Sequence, residues 1–142
     1  WIPEYARAYL EKLNRPYILE DILQIGRDQF SQQNTIYLQK PEFLICDTSF
    51  LVLKVWVSVK YKYSNNWLEK HFLEDPVDLY LLCEPDIPWT FDPLREHPDD
   101  RYFLFELYEN ALNAAQKNYH IVRGTAMNQR LESAKQAVTT LS

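Results

Sequence analysis

Residues 78–101 constrain the fold more tightly than any other part of the chain. The segment opens on the apolar run 79–83, Leu-Tyr-Leu-Leu-Cys, which reads as a short strand buried on both faces. Prolines at 85, 88, 93 and 98 then exclude both helix interior and central strand. Arg95 and Arg101 fall in or at the edge of this broken stretch, and a long amphipathic helix follows from about Asp99. A buried strand, a proline-broken loop with arginines and then a helix is a way to build a lid over a nucleotide. An ordinary strand-to-helix loop with solvated arginines fits the same residues.

The bulk numbers leave room for that reading. The 142 residues suit one domain, with 46% hydrophobic and 25% charged residues. The net charge of -5 offers no basic footprint, so nucleic acid is not expected as a partner. Cys46 and Cys83 both sit in apolar runs and read as reduced core residues of a cytoplasmic protein. The three histidines lack zinc-ligand spacing, and no apolar run reaches membrane-spanning length, so no membrane partner is expected. The chain has only two glycines, Gly26 and Gly124, whereas nucleotide-binding α/β proteins spend glycines on a phosphate loop. It also starts at Trp1. Both features suggest a missing upstream segment.

In chain order, residues 1–3 read as a strand end and 4–13 as a helix closed by Pro16. Glu20 and Asp21 suit the first turn of a second helix, which Ile22, Ile25, Gln29, Phe30, Gln33 and Tyr37 would line. Two glutamines on that face suggest either a polar ligand or partial exposure. Residues 43–46 form a second apolar run ending in Asp47, the pattern of a Walker B strand whose carboxylate holds magnesium. A turn-forming Asp explains the same residue. The alternation of Leu53, Val55, Val57 and Val59 favours a strand over 50–61. Residues 66–73 read as a short helix and 99–117 as the clearest helix, with a stripe of Leu104, Phe105, Tyr108, Ala111, Leu112 and Ala115 and a cap at Asp99 or Asp100. Residues 119–123 read as a strand. Met127, Leu131, Ala134, Val138 and Leu141 mark a last helix that Thr125 would cap. Alternation of this kind implies a parallel sheet with helices on its faces.

Four segments together resemble the P-loop kinase domain of the NadR-type ribosylnicotinamide kinases and the related AAA-like ATPases. They are Glu4-Tyr5-Ala6-Arg7; Glu20-Asp21 with Gln29; the run 43–48 ending in Asp47-Thr48; and 78–82 followed by Pro88-Trp89 and Asp92-x-Leu-Arg95. The resemblance implies an α/β, three-layer nucleoside-kinase-like fold over 1–142, with a lid at about 85–101. The family's phosphate loop, with its strand and helix, would precede Trp1, so the domain is expected to be N-terminally incomplete. The resemblance also implies a helix for 50–61, against local alternation.

The implied reaction is transfer of a phosphoryl group from ATP, with Mg2+, to a small nucleoside, most simply nicotinamide riboside. Another small acceptor, or a nucleotide-binding regulatory module without turnover, is the alternative. Glu4 would be the proton acceptor, Asp47 the metal ligand, and Arg95 and Arg101 the lid cations. Tyr5, Arg7, Asp21, Gln29, Tyr37 and Trp89 would contact the acceptor, and Gly124, Thr125 and Arg130 the adenine side. A homo-oligomer is compatible with the sequence. Each of these residues also has a plain structural role open to it: an aromatic in the core, a first-turn carboxylate on Glu4 paired with Arg7, a capped helix at Gly124 and Thr125.

Overall fold

The computed structural model of the chain describes residues 1–90 and 100–141. Arg95, Asp92 and most of the expected lid lie outside the described residues. The chain divides into two compact units, Trp1–Asp75 and Pro76–Ser142.

The first unit holds α1 (Tyr5–Leu10), α2 (Leu19–Tyr37), α3 (Phe50–Tyr61) and α4 (Asn66–Glu74). Helix α3 lies against both α2 and α4. Its sequence alternates, yet it is helical, because it is apolar almost all round and buried on several sides. Phe50, Leu51, Leu53, Val55 and Val57 are all core residues. The tertiary environment overrides β propensity here. Gly26 is the point of closest approach: a Cβ there would meet Leu53 Cδ1 and Trp67 Cζ3 at 3.1 Å each. Helix α4 starts cleanly because Asn65 accepts from the Trp67 and Leu68 amides at 3.0 and 3.1 Å.

The expected strand at 43–46 is reduced to one parallel bridge between Ile2 and Cys46. Phe43 and Ile45 are exposed, so the run lacks the two-sided burial that a longer ladder needs.

The second unit is a parallel pair, β1 (Tyr80–Cys83) and β2 (Tyr119–Val122), in register Tyr80 to Tyr119, with α5 (Arg101–Ala114) between them in sequence and α6 (Met127–Thr139) after. Three sequence expectations are corrected. Strand β1 is not buried on both faces: Tyr80 and Leu82 point inward, whereas Leu81 and Cys83 are exposed. The α6 stripe is not a core face, since Met127, Leu131 and Leu141 are exposed and the buried residue is Arg130. Thr125 is not the cap of α6; that position is Ala126, which makes no side-chain cap bond. In α5 the stripe holds, with Phe105 and Leu112 in the core, although Asp100 caps it without a side-chain bond.

Candidate functional site

Asp47 follows directly on the parallel bridge. The Ile2 amide donates to the Ile45 carbonyl and the Asp47 amide to the Ile2 carbonyl, each at 2.8 Å. The next residue, Thr48, has φ 101°, a left-handed conformation that a β-branched residue rarely adopts. Ser49 is the extended N-cap of α3. The Asp47 carboxylate is exposed, and among the described residues nothing hydrogen-bonds or ion-pairs with it. Two glutamines of α2 reach this turn. Gln29, only 3% exposed, donates its amide to the Thr48 carbonyl at 2.6 Å. The Cys46 thiol is pushed up mainly by burial, with Gln33 acting in the opposite direction.

The α1–α2 face carries a separate polar cluster. Arg15 donates from Nη1 and Nη2 to the two Asp21 oxygens at 2.7 and 2.9 Å, Tyr9 donates its hydroxyl at 3.1 Å, and the Ile18 amide donates at 2.7 Å. The Arg15 guanidinium first, then the Ile18 amide, holds the Asp21 carboxyl well below the usual carboxylate range. Tyr5 donates to Asp28 at 3.0 Å, and burial followed by that bond raises its hydroxyl. Glu4, exposed at the N-cap of α1, lies 3.8 Å from Arg7. Tyr37, near the far end of α2, is exposed.

In the second unit the candidates gather around Asp86. Its carboxylate accepts from the Gly124 amide at 2.6 Å and from the guanidinium of buried Arg130. The Gly124 amide is the main cause that lowers the Asp86 carboxyl. Arg130 also donates to the Gly124 and Glu84 carbonyls at 3.2 Å each. Thr125 beside them is exposed. Arg101 donates to the Ile87 carbonyl at 2.7 Å, and Trp89 is exposed nearby in sequence.

The structure therefore brings Gln29 to the Asp47 turn and Gly124 to Arg130, and keeps Tyr5 and Asp21 on a face of their own. Sequence reading missed Arg15, Asp28 and Asp86, and it named Gln33 and Thr48 without assigning either a role. The pair Gln29 and Gln33, four residues apart on one helix face, was a visible signal for the turn. Nothing local marks Asp86 as the partner of a residue so distant in sequence.

The residues at the turn fit magnesium. Mg2+ keeps several waters and takes one or two carboxylates plus nucleotide oxygens, without an all-protein cage. Asp47 offers one carboxylate that is unengaged among the described residues, and these contain no cluster of three or more His, Cys, Asp or Glu that could hold a metal.

Short parallel pairings with helices beside them are those of an α/β protein. A family profile described as an AAA domain matches residues 1–130, and the chain belongs to this AAA domain family, a P-loop NTPase-like class that binds nucleotide. No match to a curated protein was found. Among the described residues no helix is long and apolar enough to cross a membrane.

Proposed function

We propose that this AAA-family chain is the phosphotransferase part of a small-molecule kinase, which transfers the γ-phosphoryl group of ATP to a ribosyl hydroxyl, most simply the 5′-hydroxyl of nicotinamide riboside. The observation that supports it most is the exposed Asp47 carboxylate, unengaged among the described residues, at the end of a parallel-paired segment.

In this reading Asp47 holds the cation, which when bound neutralises charge on the phosphate oxygens. Glu4 is exposed and, among the described residues, makes a long contact of 3.8 Å to Arg7, and it serves as acceptor of the hydroxyl proton. The acceptor oxygen bonds to the γ-phosphorus as the bond to the β–γ bridging oxygen breaks. The family resemblance would make Arg95 and Arg101 lid cations and would give Gly124 and Thr125 to the adenine, with Arg130, engaged by Asp86, as their support. Tyr37 and Trp89 carry exposed rings suited to a flat cationic base, with Tyr5 and Arg7 as further contacts. Asp21 and Gln29 act as supports, because Arg15, Tyr9 and Thr48 already engage their polar groups.

The test is a phosphorylation assay of the full-length gene product with ATP, Mg2+ and a panel of ribosides that includes nicotinamide riboside. The reading expects a riboside monophosphate and an equal amount of ADP. Nucleotide binding with no turnover of any riboside would replace the kinase by a regulatory module.

A further inference from the structure

Asp47 is followed by a residue that α2 grips. Gln29 donates to the Thr48 carbonyl at 2.6 Å. Gln33, one helical turn further along the same face of α2, influences the Cys46 thiol just before the carboxylate. Upstream, the Asp47 amide is tied to Ile2. Downstream, Thr48 is held at φ 101° and Ser49 begins α3.

Gln29 also carries a cost. Its Oε1 is buried and has no partner among the described residues, although the amide nitrogen of the same group donates to the Thr48 carbonyl. A half-satisfied buried amide is a poor way to stabilise a core, where an apolar side chain would do as well. Backbone at positive φ on a β-branched residue is likewise unfavourable and persists only where its surroundings over-determine it. The two unfavourable features meet in one hydrogen bond, next to the one carboxylate of the turn. This pairing makes geometric sense only if the orientation of the turn matters.

We propose that Gln29 is a positioning residue: its amide clamps the Thr48 carbonyl and so fixes the turn that presents the Asp47 carboxylate to the cation of a bound magnesium nucleotide. The inference rests on the reading of Asp47 as the cation ligand, and it assigns Gln29 a role through the backbone of the turn in place of a contact to the acceptor. Outer groups that orient a metal ligand commonly change metal affinity by about 10- to 100-fold when removed.

The experiment uses the full-length protein and titration calorimetry with ADP, with magnesium and with EDTA. Gln29→Met keeps length and volume but removes the donor. It is expected to weaken ADP binding about tenfold in magnesium and to leave binding in EDTA unchanged. Amide hydrogen exchange is expected to rise at Thr48 and Ser49 but not along the rest of α2. In the double variant Gln29→Met with Thr48→Gly, glycine takes φ 101° without strain, so part of the lost magnesium effect should return. Equal weakening with and without magnesium, or no recovery in the double variant, would mean that Gln29 serves only to hold the fold together, and would overturn the proposal. Asp47→Asn separates the two claims. If it leaves the magnesium effect intact, the reading of Asp47 fails and this inference with it. If it abolishes the effect while Gln29→Met does not reduce it, the inference alone fails.

Discussion

Two aspartates follow parallel-paired segments in this chain, and their surroundings differ. Asp86, beyond β1, is consumed: the Gly124 amide and the Arg130 guanidinium take its oxygens, and Arg130 in turn ties the Gly124 and Glu84 carbonyls. Asp47, beyond the Ile2–Cys46 bridge, has a fixed backbone and an unengaged carboxylate among the described residues. One acid closes the ends of β1 and β2 together, and the other is held out by its backbone. A carboxylate at a strand end becomes structural or available according to whether an arginine is buried beside it. Arg130 sits at a position where a helix would ordinarily present an apolar residue.

The contrast is most easily broken by removing Arg130. Arg130→Ala strips a buried cation from Asp86 and leaves two carbonyls without their donor, and should cost about 3 kcal/mol in denaturant unfolding. A loss no larger than that of an exposed substitution would mean the Asp86 cluster is not a structural anchor. Gly124→Ala should follow at about 1–2 kcal/mol, because φ is 119° and the new Cβ would sit 3.0 Å from Gln129 Oε1. The readout is again the shift in the unfolding midpoint.

Acid sharpens the comparison further. Asp21 and Asp86 have folded values below their unfolded value near 4, so the stability they contribute is present above about pH 4 and fades as pH falls through the folded values. Asp21→Asn should therefore flatten the acid limb of a stability–pH curve. At neutral pH the smallest effect belongs to Asp47→Asn, expected within about 0.5 kcal/mol of the parent in thermal or chemical melts. A large loss there would show that Asp47 is structural after all.

The sequence carried the helices better than the sheet. Helix α5 was legible because Phe105 and Leu112 recur at helical spacing and are core residues. Helix α3 was legible only through family resemblance, since its valines alternate and only the burial supplied by α2 and α4 makes it a helix. The alternate burial of β1 was hidden, because Leu81 and Cys83 are as apolar as the residues facing inward. The buried arginine in α6 was hidden for the same kind of reason: its partner Asp86 lies far away in sequence. Asp47 drew notice in the sequence as the acid ending an apolar run, and the structure places it after the Ile2–Cys46 bridge. The turn that holds it was not legible, since a left-handed threonine gives no local signal and the glutamines on α2 pointed equally to a ligand or to solvent.

A crystal structure of the full-length protein with ADP and Mn2+, read for anomalous scattering from the metal, tests the account most directly. The account predicts the manganese peak at the Asp47 carboxylate, directly or through one water, and none at Asp86. A peak held by other groups, with Asp47 left in solvent, would contradict it.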